Sequence, residues 1–317
     1  MSPAEQACAS APASIGNVGV GFDILGLAFD AARDRVTAVR EAAPGVRLGA
    51  VSGLVSSLPD SPRTNTALAA AKAVLDAADA PFGIRLSIDK GVPMAAGMGG
   101  SAASAVAGAA AANALLGAPF AIPDLLAFAL EGERIASDPP HWDNVMASLL
   151  GGLVIAARET PPLVQRLKAP AGIVSILLHP AVRVETRMAR DILASDVPMR
   201  LAVEHSRRVA AFVAGCAVGD LDLIRAGLED ILVEPQRAHL LPVLPDVKRA
   251  ALAAGALGCS FSGSGPSVFA WATEGDASRV EDAMAWAFVE AGIAARAYRA
   301  PVDSPGVVVE RVSEAAL

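Results

Sequence analysis

Between Pro93 and Ser104 the chain reads Pro-Met-Ala-Ala-Gly-Met-Gly-Gly-Ser-Ala-Ala-Ser, with three glycines directly ahead of a small-residue, helix-forming run, Ser101 to Leu116. Glycine lets the backbone turn its N–H groups inward and come close to a ligand. A helix beginning just behind adds unpaired amides and partial positive charge. The stretch therefore predicts an anion cradle with phosphate as its anion, a purely structural turn being the competing reading. It is not a Walker A loop, because no Gly-Lys-Ser/Thr follows the glycines. Gly97, Gly99 and Ala102 do satisfy the dinucleotide spacing G-x-G-x-x-A, behind an alternating strand at Phe82 to Asp89. That fingerprint also wants an acidic residue ending a second strand about 20 residues on. The nearest candidate, Asp124, opens a helix instead.

Length and charge narrow the class. A chain of 317 residues suggests two domains, and a hydrophobic fraction of 53% is ample for a large core. The net charge of −7 argues against a nucleic-acid partner, which needs a basic face. Cys8, Cys216 and Cys259 have neither metal-ligand spacing nor the even count of a disulfide framework, and they read as buried thiols of a cytoplasmic protein. His141, His179, His205 and His239 show no zinc-type pairing. No secretory signal is expected, since Glu5 precedes the first apolar stretch and no basic segment opens the chain. Gly91 to Pro123 carries no charge and is long enough to span a membrane. It is mostly Ala and Gly, however, and holds three prolines, which suits a close-packed interior helix and no membrane.

The element pattern is mixed α/β. A strand is expected at Arg35 to Glu41, a helix at Thr66 to Ala78 behind a polar turn, and a helix from Asp124 to about Ser137, stopped by Asp138-Pro139-Pro140. Gly151-Gly152 leads into a strand, Leu153 to Ala157. Glu159-Thr160-Pro161-Pro162 is the expected boundary between an N-terminal domain, 1–158, and a C-terminal α/β domain, 159–317. Beyond it come a strand at Ile173 to His179, a helix at Leu201 to Ala217, and strands Cys259 to Ser262 and Val268 to Trp271 around a Gly-rich turn. A helix at Ala277 to Ala291 and strands near 294–298 and 307–311 close the chain.

The glycine stretch resembles the second motif of the GHMP kinases, Pro-x-x-x-Gly-Leu-Gly-Ser-Ser-Ala, with Met98 for Leu and Gly100 for the first Ser. Two further islands are similar to motifs of the same family. Ala11 to Asp23 resembles the first, with Ile15-Gly16 standing where Ser-Ala is commoner, and Ser262-Gly263-Ser264-Gly265-Pro266-Ser267 resembles the third. Three islands in family order make the resemblance cover nearly the whole chain. Between them, Glu131-Gly132-Glu133, His141-Trp142-Asp143-Asn144-Val145, Glu234-Pro235-Gln236-Arg237, and Thr186 with Arg190 resemble the homoserine kinase branch.

That resemblance implies a two-domain GHMP-kinase fold, of α/β (α+β) class, that binds ATP and Mg2+ and phosphorylates the side-chain hydroxyl of L-homoserine in threonine biosynthesis. A different acceptor within the family, or an inactive ATP-binding sensor, are the alternatives; a homodimer is left open. ATP is expected on Pro93, Met94, Ala95, Ala96, Gly97, Met98, Gly99, Gly100, Ser101, Ala102 and Ala103, with Asn65 and Lys90 at the adenosine part. Ser101 and Glu133 are the expected Mg2+ ligands. Helical spacing sets Glu133 over Leu126, Ala129 and Leu130, a costly place for a carboxylate without a cation, whereas Glu131 falls on the polar face. Ser101, Glu133 and Asn144 are the expected catalytic residues. Arg190 and Arg237 suit a carboxylate and Asp23 an ammonium, with Asn17, His141, Asn144, Thr186 and Gly263 completing the substrate site. Asp143 is either a base or an orienting residue.

Overall fold

The computed structural model describes residues 4–184 and 186–314. In chain order the strands are β1 (Ala4–Gly16), β2 (Leu25–Glu41), β3 (Val46–Gly53), β4 (Gly83–Lys90), β5 (Leu153–Arg158), β6 (Leu163–Leu167), β7 (Ile173–Pro180), β8 (Gly258–Phe261), β9 (Val268–Thr273), β10 (Ala295–Pro301) and β11 (Val308–Glu314). The helices are α1 (Thr66–Ala77), α2 (Gly100–Leu115), α3 (Leu125–Glu133), α4 (Trp142–Leu150), α5 (Thr186–Asp191), α6 (Met199–Val218), α7 (Leu221–Gly227), α8 (Glu234–Arg237), α9 (Leu244–Ala253) and α10 (Ala277–Glu290).

Two sheets organise these elements. The first runs β11-β1-β2-β4-β3, with the hairpin β5–β6 attached to the other end of β2. The second is β10-β7-β9-β8. β2 is long enough to serve two partners: Arg35 to Glu41 pair with β4, and Leu25 to Leu27 pair with β5. A strand expected only from Arg35 therefore begins ten residues earlier. Its first five residues, Leu25 to Phe29, are fully buried, so polar alternation does not mark them.

Helix α2 packs against the first sheet and against α1, α3 and α4. From Ala102 to Leu115 every residue is buried, so it shows no amphipathic stripe, as befits a helix enclosed on all sides. Small residues let its neighbours come close. A Cβ at Gly108 would lie 2.6 Å from the Ala67 carbonyl of α1, and one at Gly132 of α3 would lie 2.5 Å from that of Thr66. Among the described residues no helix is long and apolar enough to cross a membrane. The three cysteines are free and buried, and burial pushes the Cys216 thiol up to about 12.

Two expectations shift. Helix α3 ends at Glu133 rather than near Ser137, and the Asp124 side chain does not cap it; it accepts instead from the Ala121 amide. The Pro-rich stretch 159–162 is the turn of the β5–β6 hairpin, so it joins two strands of one sheet. The chain passes from the first sheet to the second only between Leu167 and Ile173, and β11 returns to pair with β1.

Candidate active site

A cavity of about 430 Å³ opens where the glycine loop, the β1–β2 turn, the end of α3, the start of α4, and α5 and α8 meet. One wall is backbone. Gly97 and Gly99 have φ of +70° and +64°, and a Cβ at Gly97 would lie 2.6 Å from the carbonyls of Ser262 and Gly265. A Cβ at Gly99 would overlap Ser14 Oγ. The loop's carbonyls are bonded into the protein: Ala96 accepts from the Ser267 amide, Gly97 from Ser262 Oγ at 2.5 Å, and Met98 from the Ser14 amide. A planar trans peptide sets the N–H of Gly97, Met98 and Gly99 opposite to those bonded carbonyls, and all three residues line the cavity. Helix α2 starts at the next residue and adds its own free amides.

Glu133 sits beside that helix start, 1% exposed. Its Oε1 accepts from Ser101 Oγ at 2.9 Å and faces His141 Nδ1 at 3.4 Å. Its Oε2 is buried with no hydrogen-bond partner. A buried carboxylate oxygen left alone is costly. Two hard oxygens, Ser101 Oγ and the unpartnered Glu133 Oε2, beside the start of α2 suit a cation that keeps few protein ligands. Glu131 is exposed and pairs with Arg134. Burial lowers the His141 pKa, but the Glu133 bond and the Asp143 charge more than offset it, and the net shift is upward.

The opposite wall is built from charged side chains. Arg237, 3% exposed, donates through Nε to the Ala189 carbonyl at 2.7 Å; burial, with the Arg190 charge nearby, lowers its pKa to about 10. Arg190 donates to both Asp23 carboxylate oxygens at 2.8 Å. The two guanidiniums flank the Phe22 ring, 5.5 and 5.3 Å from its centroid. Groups expected at opposite ends of an amino acid thus hold each other. Asn17, at φ +67°, donates through Nδ2 to the Gly263 carbonyl and accepts the Asp23 amide.

Asp143 and Asn144 lie between the two walls. Asp143 is 2% exposed, and burial raises its pKa, Asp23 adding to the effect. One of its oxygens accepts from the Asn17 amide, the other from the Asn144 amide and side chain. Asn144 Oδ1 in turn accepts from Ser14 Oγ at 2.9 Å. Gly16, where the commoner motif has Ala, has no room for a methyl group: a Cβ would lie 2.5 Å from Asp143 Oδ2.

The cavity is lined by Asn17, Asp23, Asn65, Met94 to Ser101, Glu133, His141, Asn144, Arg190, Arg237 and Gly263. Pro93, Ala102 and Ala103 of the expected loop do not line it, the last two being buried behind it in α2. Lys90 does not reach it either; its ammonium is held by Asp34, Ser104 and the Gly100 carbonyl, which corrects the expectation of an adenosine contact. Asn65 lines the wall, but its side chain is the N-cap of α1, accepting from the Ala67 and Leu68 amides. Thr186 opens α5, and its side chain lies outside the described part. Sequence reading missed Phe22, Leu58, Pro59, Thr64, Thr66, Ser104, Ala136 and Ser264 as lining residues. Phe22 was within reach, since it stands in the first glycine-rich motif; Leu58 and Pro59 come from a loop without periodicity.

A glycine loop leading into a helix, with a buried carboxylate beside it and a charged wall across the cavity, suits transfer of a phosphoryl group to a small molecule. The models of the GHMP kinases N terminal domain and the GHMP kinases C terminal domain match residues 65–152 and 210–289, and the chain belongs to the GHMP kinase family. Within it, the chain falls among the homoserine kinases. It is 45% identical to a homoserine kinase of Xanthomonas campestris over 95% of this chain and 92% of the relative. A homoserine kinase of Chlorobium phaeobacteroides is 38% identical over 94% and 98%. The crystal structure of homoserine kinase from Cytophaga hutchinsonii superposes with a TM-score of 0.94 at 38% identity, covering 98% of this chain and 99% of that one. An L. major mevalonate kinase, 15% identical with a TM-score of 0.72, shares the fold.

Proposed function

We infer that the chain transfers the γ-phosphoryl group of ATP to the side-chain hydroxyl of L-homoserine, giving O-phospho-L-homoserine on the way to threonine. The observation that carries this reading is a single cavity with a backbone phosphate cradle on one side and Arg190, Arg237 and Asp23 on the other. The names of the relatives select homoserine among amino-acid acceptors.

Each side chain then has a task. The Gly97–Gly99 amides and the α2 start bind the phosphates. Ser101 and Glu133 would hold Mg2+, which supplies charge neutralisation on the transferring phosphoryl group. Arg237 and Arg190 take the substrate carboxylate and Asp23 its ammonium, so that the substrate replaces each half of the Arg190–Asp23 pair with an equivalent partner. Asn144 and His141 face the hydroxyl, with Asn17, Thr186 and Gly263 around the amino-acid end. Asp143 orients Asn144 and Asn17; three N–H groups already occupy its oxygens, which leaves positioning as its part. A reaction of free ATP with a free amino acid belongs in the cytoplasm.

The test is a coupled ADP assay with competing acceptors. L-homoserine should drive ADP release, while a four-carbon alcohol lacking both charged ends should do so less efficiently by on the order of 10⁴. Better turnover with mevalonate or a sugar would remove the homoserine assignment and leave a kinase. No release with any acceptor, despite ATP binding, would mark a sensor.

A further inference from the structure

Two buried charges sit behind the glycine loop and do not line the cavity. Asp34 of β2 is fully buried, and Lys90, the last residue of β4, is 3% exposed. The Lys90 ammonium donates to the Asp34 carboxylate, to the Gly100 carbonyl at 2.9 Å and to Ser104 Oγ at 2.9 Å, which uses all three of its protons. Asp34 also accepts from Ser104 Oγ at 2.6 Å and from the amides of Gly91 and Val92 at 3.1 and 3.0 Å. The two residues that enter the glycine loop and the first helical residue that leaves it are therefore tied to one ion pair. Everything between, Pro93 to Gly99, spans two fixed feet.

A buried ion pair is a poor source of stability, since apolar replacements of similar volume are often neutral or better. What it does supply is geometry, through directed bonds to three backbone groups at the two ends of the loop. Ser104 carries the link inward, because it belongs to the network and also lines the cavity. We propose that Asp34 and Lys90 are a positioning pair that sets the spacing of the loop's two ends and thereby the affinity for a triphosphate. This rests on the reading of the glycine loop as the phosphate site.

The informative variant is Asp34→Asn combined with Lys90→Met, which removes both charges yet leaves an acceptor for the Gly91 and Val92 amides. Binding of ATP and of adenosine is measured by calorimetry on the full chain, with KM for both substrates and the thermal midpoint. ATP affinity should fall about tenfold or more, while adenosine affinity and the L-homoserine KM stay within about twofold and the midpoint holds. ATP and adenosine weakening together would place Lys90 against the nucleoside and overturn the proposal. Unchanged ATP affinity in the folded variant would make the pair merely structural and overturn it equally. If the double variant does not fold, Lys90→Met alone, which unties Gly100 and leaves Asp34 on the Gly91 and Val92 amides, is read in the same way, and ATP affinity unaltered there also overturns the proposal. Wild-type protein that binds adenosine as tightly as ATP would instead refute the phosphate reading itself.

Discussion

The two walls of the cavity are made of different material. The wall proposed for the nucleotide is backbone, with its carbonyls bonded into the protein and two glycines at positive φ. The wall proposed for the amino acid is side chain, and there Arg190 and Asp23, both about one-third exposed, satisfy each other. A backbone wall is set once the chain has folded and costs nothing to organise when ligand arrives. A side-chain wall must exchange partners, so its selectivity comes from leaving charges unpaired when the wrong acceptor enters. Glu133 stands at the junction, belonging to neither wall, with one carboxylate oxygen bonded and the other alone.

Glu133 is where the largest loss is expected. Glu133→Gln should lower turnover about a hundredfold or more, because one preorganised electrostatic contact is removed. The thermal midpoint should change little, since Gln keeps an acceptor for Ser101 Oγ and replaces the one oxygen that has no partner. Glu131→Gln, on the exposed face, should match wild type in both assays. Inactivity of Glu131→Gln alongside normal Glu133→Gln would assign the wrong carboxylate to the junction.

A smaller effect is expected at Arg190. Arg190→Leu should raise the homoserine KM about tenfold, since this guanidinium is partly screened by solvent, and leave the ATP KM in place. Kinetics in which the ATP KM rises instead would mean that α5 serves the nucleotide wall, and the contrast between the walls would break there.

The difference in material also explains what could be read from the sequence. Backbone walls leave glycines in order, and three such islands pointed to the loop, the β1–β2 turn and the turn after β8 before any fold was known. Glu133 was legible for a second reason: Leu126, Ala129 and Leu130 mark the buried side of its helix. Ion pairs between residues distant in the chain leave no such trace. Asp34 and Lys90 meet across 56 positions, and nothing local to either announces the other. The family resemblance puts Lys90 at the adenosine part, whereas its charge is held within the fold. The Pro-rich turn at 159–162 reads alike as a linker or a hairpin; only the pairing of β5 with β6 decides. Leu25 to Phe29 hid as a strand because burial on both faces erases alternation.

The smallest effect separates a fold role from a binding role. Asn65→Ala removes the N-cap of α1 and should cost about 1 kcal/mol, a drop of about 2 °C in the thermal midpoint. ATP affinity should change by no more than about threefold, since both amides that Asn65 accepts from belong to its own helix. A large loss of ATP affinity at an unchanged midpoint would move Asn65 from scaffold to ligand contact.

The central claim is that the two walls act separately, and Arg237 tests it most directly. Its guanidinium is buried on the amino-acid side, and no bond ties it to the glycine loop. Isothermal titration of Arg237→Leu with ATP and with L-homoserine, each alone, should show homoserine affinity reduced about a hundredfold. ATP affinity should stay within about twofold of wild type. Equal losses for both ligands, or a loss confined to ATP, would contradict the division of the site into a backbone wall for the nucleotide and a side-chain wall for the amino acid.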